Sequence, residues 1–381
     1  MQKIKESGNG VLYTKGTFLI PVLKGTYKEM GKQYGELMKE EMQKVYDLVV
    51  QPQIDSGDIT TEVAKQWTNR ALSTFSTRNR DFYEGLTQGT GWTMDKVGML
   101  DQVNEFGVFQ SKIHSFAGCT SILAWGDDST DGNVYIGRNM DWSALFSEFA
   151  QVLTVVNPTD GGYRYANFSW PGMITLFSAI NEHGVYIDIH DGTAMGSSVI
   201  YGDRSPVFNL LCDIISETAS LDALVSRLNT TQTSMSTILN LADQNSGVSM
   251  ECSSLAGNRL RRSNGDTLVT TNTFFNPDWG IHARNTVSHS IERFNNMTDR
   301  TAENKGNIDS QKVRDLMDIR LFNEDGSFKE NGGCTKPTQQ DADQTTYQIV
   351  TDITQRKVWL KVPNPKYLTD WVEIDLKELW S

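Results

Sequence analysis

The residues best suited to chemistry in this sequence are Gly118 and Cys119, which stand where helix-like stretches give way to strand-like ones. A free thiol has a pKa of about 8.5, so a catalytic cysteine needs a base or a positive charge beside it. An α-amino group has a pKa of about 7.7–8.0, which suits proton transfer near neutral pH. If the chain is cut before Cys119, that one residue supplies both the nucleophile and the base.

Gly118 suits such a cut, because a residue without a Cβ atom tolerates backbone strain and leaves its carbonyl open to attack. The expected route is attack of the Cys119 thiol on the Gly118 carbonyl carbon. An N-to-S acyl shift follows, and water then releases the thioester. We therefore predict self-cleavage between Gly118 and Cys119.

Two charged residues, Arg138 and Asp141, follow Cys119 at the far end of a predicted β-hairpin. If the strands 119–125 and 134–138 pair, both residues fall near Cys119. Asp141 can then hold the new α-amine, and Arg138 can stabilise the thiolate. An isolated Arg-x-x-Asp would be interpreted as a structural ion pair, but its place next to Gly118-Cys119 favours the catalytic interpretation.

Other catalytic signatures are absent from the sequence. There is no G-x-S-x-G elbow, no H-E-x-x-H, no phosphate-binding P-loop and no G-x-G-x-x-G turn. The five histidines show no spacing that supports a Ser or Cys triad. The four cysteines include no C-x-x-C pair and permit, without indicating, two disulfides. We expect neither a metal nor an organic cofactor.

Composition limits the class of protein. The 381 residues are 38% hydrophobic and 22% charged, which is ordinary for a globular chain. The net charge of −12 disfavours nucleic-acid binding, because no basic patch offsets it. No apolar run reaches transmembrane length, and the polar first residues lack the apolar segment of a signal peptide. The compartment stays unassigned; removal of a leader would be compatible with an extracytoplasmic protein.

The pattern of apolar residues predicts helices first and strands afterwards. Apolar residues recur at threes and fours from Gly25 to about Leu100, with a second helical stretch at 61–83 and a third beginning at the N-cap Thr93. From Cys119 onward the pattern predicts strands, interrupted by helices at 207–217 and 221–228. The polar stretch 323–346 is interpreted as a surface excursion. This order predicts layered sheets with helices outside.

Five short motifs in this order resemble the cysteine branch of the N-terminal-nucleophile hydrolase superfamily. That branch includes choloylglycine hydrolases, penicillin V acylase, acid ceramidase-like amidases and acyl-coenzyme A:isopenicillin N acyltransferase. Together they cover most of the chain after Cys119, and the last of the five is the weakest. The motifs are Gly118-Cys119-Thr120, Arg138-Asn139-Met140-Asp141-Trp142, Asn181-Glu182-His183-Gly184-Val185, Thr271-Asn272 and Ser290-Ile291-Glu292-Arg293-Phe294.

The resemblance implies roles for three more residues. Asn181 and Asn272 would donate hydrogen bonds to the oxyanion, and Arg293 would support the site. Turn formation is the ordinary alternative for both asparagines, and a solvated helix position is the alternative for Arg293. Relatives often have histidine after the residue that matches Asn272, whereas this chain has Thr273. That departure bears on the pocket wall and leaves the amide donor intact.

The resemblance also implies the architecture and the reaction. The expected fold is α+β, a four-layer αββα sandwich of two antiparallel sheets. Residues 1–118 would be a helical propeptide that stays bound as a small subunit, and residues 119–381 the catalytic domain. The expected substrate is a small molecule with a linear N-acyl amide bond, and the oligomeric state is left open. The rivals are a binding protein on a degenerate hydrolase scaffold and a conventional Cys–His hydrolase that uses His114, His183 or His190.

Overall fold

The computed structural model describes residues 1–109, 118–287, 289–319, 327, 343–363 and 370–380. Elements are numbered along the chain. The strands are β1 (Gln2–Ser7), β2 (Gly10–Lys15), β3 (Phe18–Gly25), β4 (Gly118–Gly126), β5 (Gly132–Ser143), β6 (Gln151–Pro158), β7 (Tyr165–Ser169), β8 (Ser178–Asn181), β9 (Tyr186–Asp191), β10 (Thr237–Ala242), β11 (Gly247–Ser253), β12 (Gly257–Arg261), β13 (Thr267–Thr270), β14 (Asp343–Asp352), β15 (Lys357–Lys361) and β16 (Val372–Asp375). The helices are α1 (Tyr27–Val45), α2 (Gln51–Asp55), α3 (Thr61–Thr74), α4 (Thr77–Thr90), α5 (Met94–Asp101), α6 (Val103–Phe109), α7 (Thr193–Gly196), α8 (Val207–Glu217), α9 (Leu221–Asn229), α10 (Ser290–Glu303) and α11 (Ser310–Met317).

These strands form two facing sheets. The larger sheet has the order β1-β2-β3-β6-β7-β8-β9-β10-β11-β12, and the smaller has β13-β4-β5-β14-β15-β16. Strand β3 pairs with β6 in parallel, and every other ladder of the described strands is antiparallel. Helices α10 and α11 cover the smaller sheet, while α1, α8 and α9 contact the larger one. The four-layer α+β architecture expected from the sequence is confirmed.

The residues before Cys119 are less purely helical than expected. Residues 2–25 form β1, β2 and β3, which extend the larger sheet through the pairing of β3 with β6. The edge strand β1 is almost wholly exposed, so its residues carry no apolar alternation that would reveal a strand. The predicted helical stretch 61–83 is two helices, α3 and α4, because Ser76 caps a new helix after the extended Phe75.

Three other local predictions are confirmed, namely the cap of α5, helix α8 and the hairpin of β4 and β5. Thr93 is the N-cap of α5 and accepts a hydrogen bond from the Lys96 amide. Helix α8 covers the predicted stretch 207–217, and the hairpin of β4 and β5 forms as expected. Most of the predicted excursion 323–346 lies outside the described residues, and β14 begins within its last part. No helix in the described ranges is both long and apolar enough to cross a bilayer.

Four glycines bring α1 and α4 into contact at backbone distance. A Cβ atom added to Gly31 would lie 2.1 Å from the Phe82 carbonyl oxygen, and one added to Gly85 would lie 1.9 Å from the Lys28 carbonyl oxygen. Gly35 and Gly89 repeat the pattern one turn further along each helix. Helices α1 and α4 are thereby packed closely against each other.

Candidate active site

Cys119 is the second residue of β4 and lies between the two sheets, where only 2% of its surface is exposed. In the register of β4 with β5, it stands opposite Met140, and Gly118 stands opposite Asp141. Alternation along β4 puts Cys119 and Ser121 on the face that meets the larger sheet. The opposite face, with Ile122 and Ala124, packs on the helices outside the smaller sheet.

The backbone of Cys119 is held by Asn272 and Arg293. Strand β13 pairs with β4 so that Thr270 lies opposite Ser121, which brings Asn272 alongside Cys119. The Cys119 amide donates to Asn272 Oδ1 at 2.9 Å. Arg293 reaches in from α10, and its guanidinium donates to the Cys119 carbonyl oxygen and, at 3.0 Å, to Asn272 Oδ1. One buried arginine thus fixes both Cys119 and the asparagine that holds its nitrogen.

The sulfur of Cys119 lies beside the guanidinium of Arg138, with 3.5 Å between Sγ and Nη2. Arg138 is fully buried and donates to the carbonyl oxygens of Phe177 and Ile189 and to Ser178 Oγ, which anchors it to the larger sheet. Burial raises the pKa of the Cys119 thiol, and Arg138 opposes that rise without cancelling it. The thiol is therefore protonated at neutral pH and needs a base.

Asp141 is fully buried and accepts a hydrogen bond from Thr345 Oγ1 of β14 at 2.6 Å. Its place opposite Gly118 puts a carboxylate across from the predicted cleavage point. The charge of Asp141 also acts to raise the pKa of the Cys119 thiol, so the carboxylate is electrostatically close to the sulfur.

Asn181 is the predicted site residue that the structure does not bring to Cys119. It ends β8, and its Nδ2 donates to the carbonyl oxygens of Ile215 and Thr218 at 2.8 and 2.7 Å. Its Oδ1 accepts from the amides of His183 and Val185. Both ends of the side chain amide are therefore committed to closing the turn before β9 and holding the end of α8.

A small cavity of about 30 Å³ opens beside Cys119. Polar residues on its wall are Asn104, His190, Asp191 and Thr237. Six apolar residues form the rest: Met140, Trp142, Phe177, Ile189, Phe208 and Met235. The volume suffices for a water molecule or two.

Sequence reasoning overlooked two polar wall residues. Asn104 comes from α6, before the predicted cleavage point, and no local signal marks it. Asp191 stands at the end of β9, beside His190, which the sequence named only as a candidate of the Cys–His alternative; that strand end was the available signal. Of the other histidines, His183 is exposed and His114 lies outside the described residues.

The two other cysteines that the structure describes do not line the Cys119 cavity. Cys212 and Cys252 are buried free thiols, and burial raises the pKa of each. Cys334 lies outside the described residues. Among the described cysteines, Cys119 is the one that has an arginine beside its sulfur.

Comparison with solved structures finds relatives of low identity. A conjugated bile acid hydrolase variant from Clostridium perfringens is 13% identical with a TM-score of 0.49, over 68% of this chain and 93% of that one. An N-acylethanolamine-hydrolyzing acid amidase ortholog from Caenorhabditis elegans is 16% identical with a TM-score of 0.43, over 62% and 93%. Penicillin V acylase from Agrobacterium tumefaciens is 14% identical with a TM-score of 0.42, over 69% and 88%. No curated protein matches the sequence.

A family model gives the broader result. The model of acyl-coenzyme A:6-aminopenicillanic acid acyl-transferase matches residues 128–367, which is more than half of the chain. The matched part includes Arg138, Asp141, Asn272 and Arg293 and begins nine residues after Cys119. This chain belongs to the acyl-coenzyme A:6-aminopenicillanic acid acyl-transferase family.

Proposed function

We propose that this chain is an amidohydrolase or acyltransferase that makes its own nucleophile by cleaving itself between Gly118 and Cys119. The observation that carries the proposal is that both the nitrogen and the sulfur of Cys119 are held by side chains. Asn272 Oδ1 accepts a hydrogen bond from the Cys119 backbone amide at 2.9 Å, and Arg138 Nη2 lies 3.5 Å from the Cys119 sulfur. A mechanism that uses the nitrogen as base and the sulfur as nucleophile needs both atoms fixed in this way.

The electrostatics of the thiol support the same mechanism. Because burial raises the pKa of Cys119, Arg138 alone does not produce the thiolate, and a nearby proton acceptor is required. Before cleavage the Cys119 nitrogen is an amide and cannot serve. After cleavage it is an amine with a pKa of about 7.7–8.0, and it is already positioned by Asn272.

The proposed reaction has two stages. In the first, Cys119 Sγ adds to the Gly118 carbonyl carbon, and the thiol proton passes to the Cys119 nitrogen as the C–N bond breaks, which leaves a free α-amine. Water then hydrolyses the resulting thioester and frees the Cys119 thiol and the Gly118 carboxyl group. In the second, that amine takes the thiol proton and Sγ attacks the carbonyl carbon of an N-acyl amide. The leaving amine takes up the proton, and the acyl thioester passes to water or to another amine.

We assign Asn272 Nδ2 as the side-chain donor to the oxyanion. In this structure Nδ2 donates to the Asp191 carbonyl oxygen at 3.1 Å, and during the reaction it would turn from that oxygen to the oxyanion. Asn181 is left out of the mechanism, because both of its amide hydrogens are committed elsewhere. Arg293 acts as a positioning residue through Asn272 and the Cys119 carbonyl.

We further propose that residues 1–118 stay bound as a small subunit and that residues 119–381 form the catalytic subunit. The pairing of β3 with β6 supports this, because it joins the two parts within one sheet. Asp101 adds a buried connection, since its carboxylate accepts hydrogen bonds from the amides of Ile174 and Thr175 and from Asn209 Nδ2. Asn104 places a residue of the small subunit on the cavity wall.

Intact-mass spectrometry of the purified protein tests the proposal. We expect two chains, residues 1–118 and 119–381, that remain together in gel filtration. Cys119→Ala should remain a single chain, whereas the control Cys212→Ala should cleave like the wild type, because its thiol lies in α8 away from the site.

Acyl transfer is tested with the cleaved protein and a p-nitrophenyl ester of a medium-chain acid. We expect the acyl mass to appear on the fragment 119–381. A wild-type protein that stays uncleaved through long incubation at neutral pH would refute the α-amine mechanism. A cleaved protein that never carries the acyl group would support the binding-protein alternative.

A further inference from the structure

A buried polar cluster lies directly behind Cys119, between the two sheets. Ser121, two residues along β4, has its Oγ 3.1 Å from Asp188 Oδ2 and 2.9 Å from His190 Nε2. Asn240 of β10 donates to Asp188 Oδ1 at 2.8 Å and lies 3.1 Å from the same His190 nitrogen. Asp188 and His190 share one face of β9, which is why a single strand presents both to β4.

Of the two ring nitrogens of His190, only Nε2 has polar neighbours within hydrogen-bonding distance among the residues that the structure describes. Its Nε2 lies 2.9 Å from Ser121 Oγ and 3.2 Å from Asp188 Oδ1. Asn240 Nδ2 donates to the same Asp188 oxygen and therefore lies beside Nε2, at 3.1 Å, as a second donor. His190 Nδ1 has no hydrogen-bond partner among the residues that the structure describes, although the side chain is fully buried. The same side chain lines the Cys119 cavity, which has room for a water molecule or two. Buried polar atoms are normally hydrogen-bonded, so a water molecule in the cavity is the expected partner of Nδ1.

The charges around His190 favour a neutral ring with a free lone pair on Nδ1. Burial lowers the pKa of His190, so the ring is uncharged near neutral pH. Burial alone would raise the pKa of Asp188, but the hydrogen bonds from His190 and Asn240 and the charge of Arg138 hold that pKa below its usual value, and the carboxylate stays ionised. An ionised carboxylate beside Nε2 favours the tautomer that carries its hydrogen there, as in Asp–His pairs of other enzymes.

We propose that His190 Nδ1 holds the water that hydrolyses the acyl thioester on Cys119 and accepts its proton. The inference rests on the proposed function, and it assigns His190 to the deacylation step of that reaction. The water oxygen bonds to the thioester carbonyl carbon, one water proton moves to Nδ1, and the C–S bond breaks. The proton then returns from Nδ1 to the Cys119 sulfur, and the acid product leaves.

This assignment divides the work between two bases. The α-amine of Cys119 serves acylation, in which the thiol must lose its proton. His190 serves deacylation, in which water must lose one. An amine acceptor with a free lone pair attacks a thioester without prior deprotonation, so His190 favours hydrolysis over transfer to amines.

The test is a single-turnover comparison of wild type, His190→Gln and His183→Gln with a p-nitrophenyl ester of a medium-chain acid, enzyme in excess. Release of nitrophenolate reports acylation, and decay of the acyl mass on the fragment 119–381 reports deacylation. His183→Gln is the matched control, because His183 is exposed in the turn before β9.

We expect His190→Gln to acylate within about fivefold of the wild-type rate and to deacylate roughly 100-fold more slowly, which is the lower end of what a general base contributes. Hydroxylamine, which attacks without a base, should release the acyl group from wild type and variant at similar rates. His183→Gln should match the wild type in both steps.

Several results would overturn the inference. An unchanged deacylation rate in His190→Gln would show that Nδ1 has no part in deacylation. Equal slowing of acylation and deacylation would show that His190 acts in acylation or only supports the structure. If His190→Gln and His190→Asn both fail to cleave or to fold, the role is structural. If wild type neither releases nitrophenolate nor carries any acyl mass on Cys119, the proposed function itself is removed.

Discussion

Asn272 offers the sharpest test of the site, because its two side-chain atoms have different proposed tasks. Oδ1 accepts from the Cys119 amide at 2.9 Å and from Arg293 Nη2 at 3.0 Å, while Nδ2 donates to the Asp191 carbonyl at 3.1 Å. Asn272→Ala removes all three contacts. Asn272→Asp keeps the acceptor and removes the donor, so the pair of variants separates positioning from oxyanion stabilisation.

The magnitudes follow from the contacts. Asn272→Ala leaves buried groups on Cys119, Arg293 and Asp191 each short of one partner, and one such group costs about 1–3 kcal/mol. We expect the free energy of unfolding to fall by about 3 kcal/mol or more, and self-cleavage to slow about 100-fold as the Cys119 nitrogen loses its position. Asn272→Asp should cleave within about tenfold of the wild-type rate but hydrolyse substrate about 100- to 1000-fold more slowly.

Intact-mass time courses after translation measure cleavage, thermal denaturation measures stability, and ester hydrolysis by the cleaved protein measures catalysis. The matched control is Asn258→Ala, which loses two hydrogen bonds to the carbonyls of Leu228 and Thr231 and should cleave normally. The reasoning is refuted if Asn272→Ala cleaves as fast as that control. Wild-type hydrolysis by Asn272→Asp would remove Asn272 from the oxyanion site.

Three further outcomes are expected. Asn181→Ala should lower the melting temperature but leave hydrolysis by the folded protein unchanged, since its amide serves the turn and α8; a loss of activity without a loss of stability would restore the oxyanion role. Gly85→Ala should sharply destabilise the protein in thermal denaturation, because its Cβ would lie 1.9 Å from the Lys28 carbonyl oxygen, whereas the control Gly202→Ala, with 3.8 Å of clearance, should be neutral. Burial raises the pKa of Asp213 to about 6, so its contribution to stability is complete below its unfolded pKa and is lost as pH rises through about 6. Relative to Asp213→Asn, wild-type stability should therefore fall by up to about 3 kcal/mol between pH 4 and pH 8, and a constant difference would contradict this.

The hairpin of β4 and β5 could be anticipated because the relevant signals are local. Alternation and the turn cluster after Trp125 predict that β4 and β5 pair, and this pairing puts Arg138 near Cys119. Amphipathic periodicity likewise predicts α8 over 207–217. These features depend on residues a few positions apart in the chain, so local sequence patterns are enough to predict them.

The roles of the two asparagines depended on the tertiary structure. Asn181 and Asn272 both follow strands and both suit turns, so their local sequences do not distinguish them. Pairing of β13 with β4 brings Asn272 to Cys119, while the position of α8 commits Asn181 to backbone carbonyls. Which strand neighbours which is decided by packing of the whole chain.

The sequence by itself determined the α+β class of the fold and the order of the motifs, and it made Cys119 the candidate nucleophile. Only the tertiary structure placed His190 behind Cys119, Asn104 on the cavity wall and residues 2–25 in the larger sheet. The physical reason is that a periodic pattern reports whether a face is buried, not what covers it. Contacts between distant segments, on which this site depends, exist only once both sheets have formed.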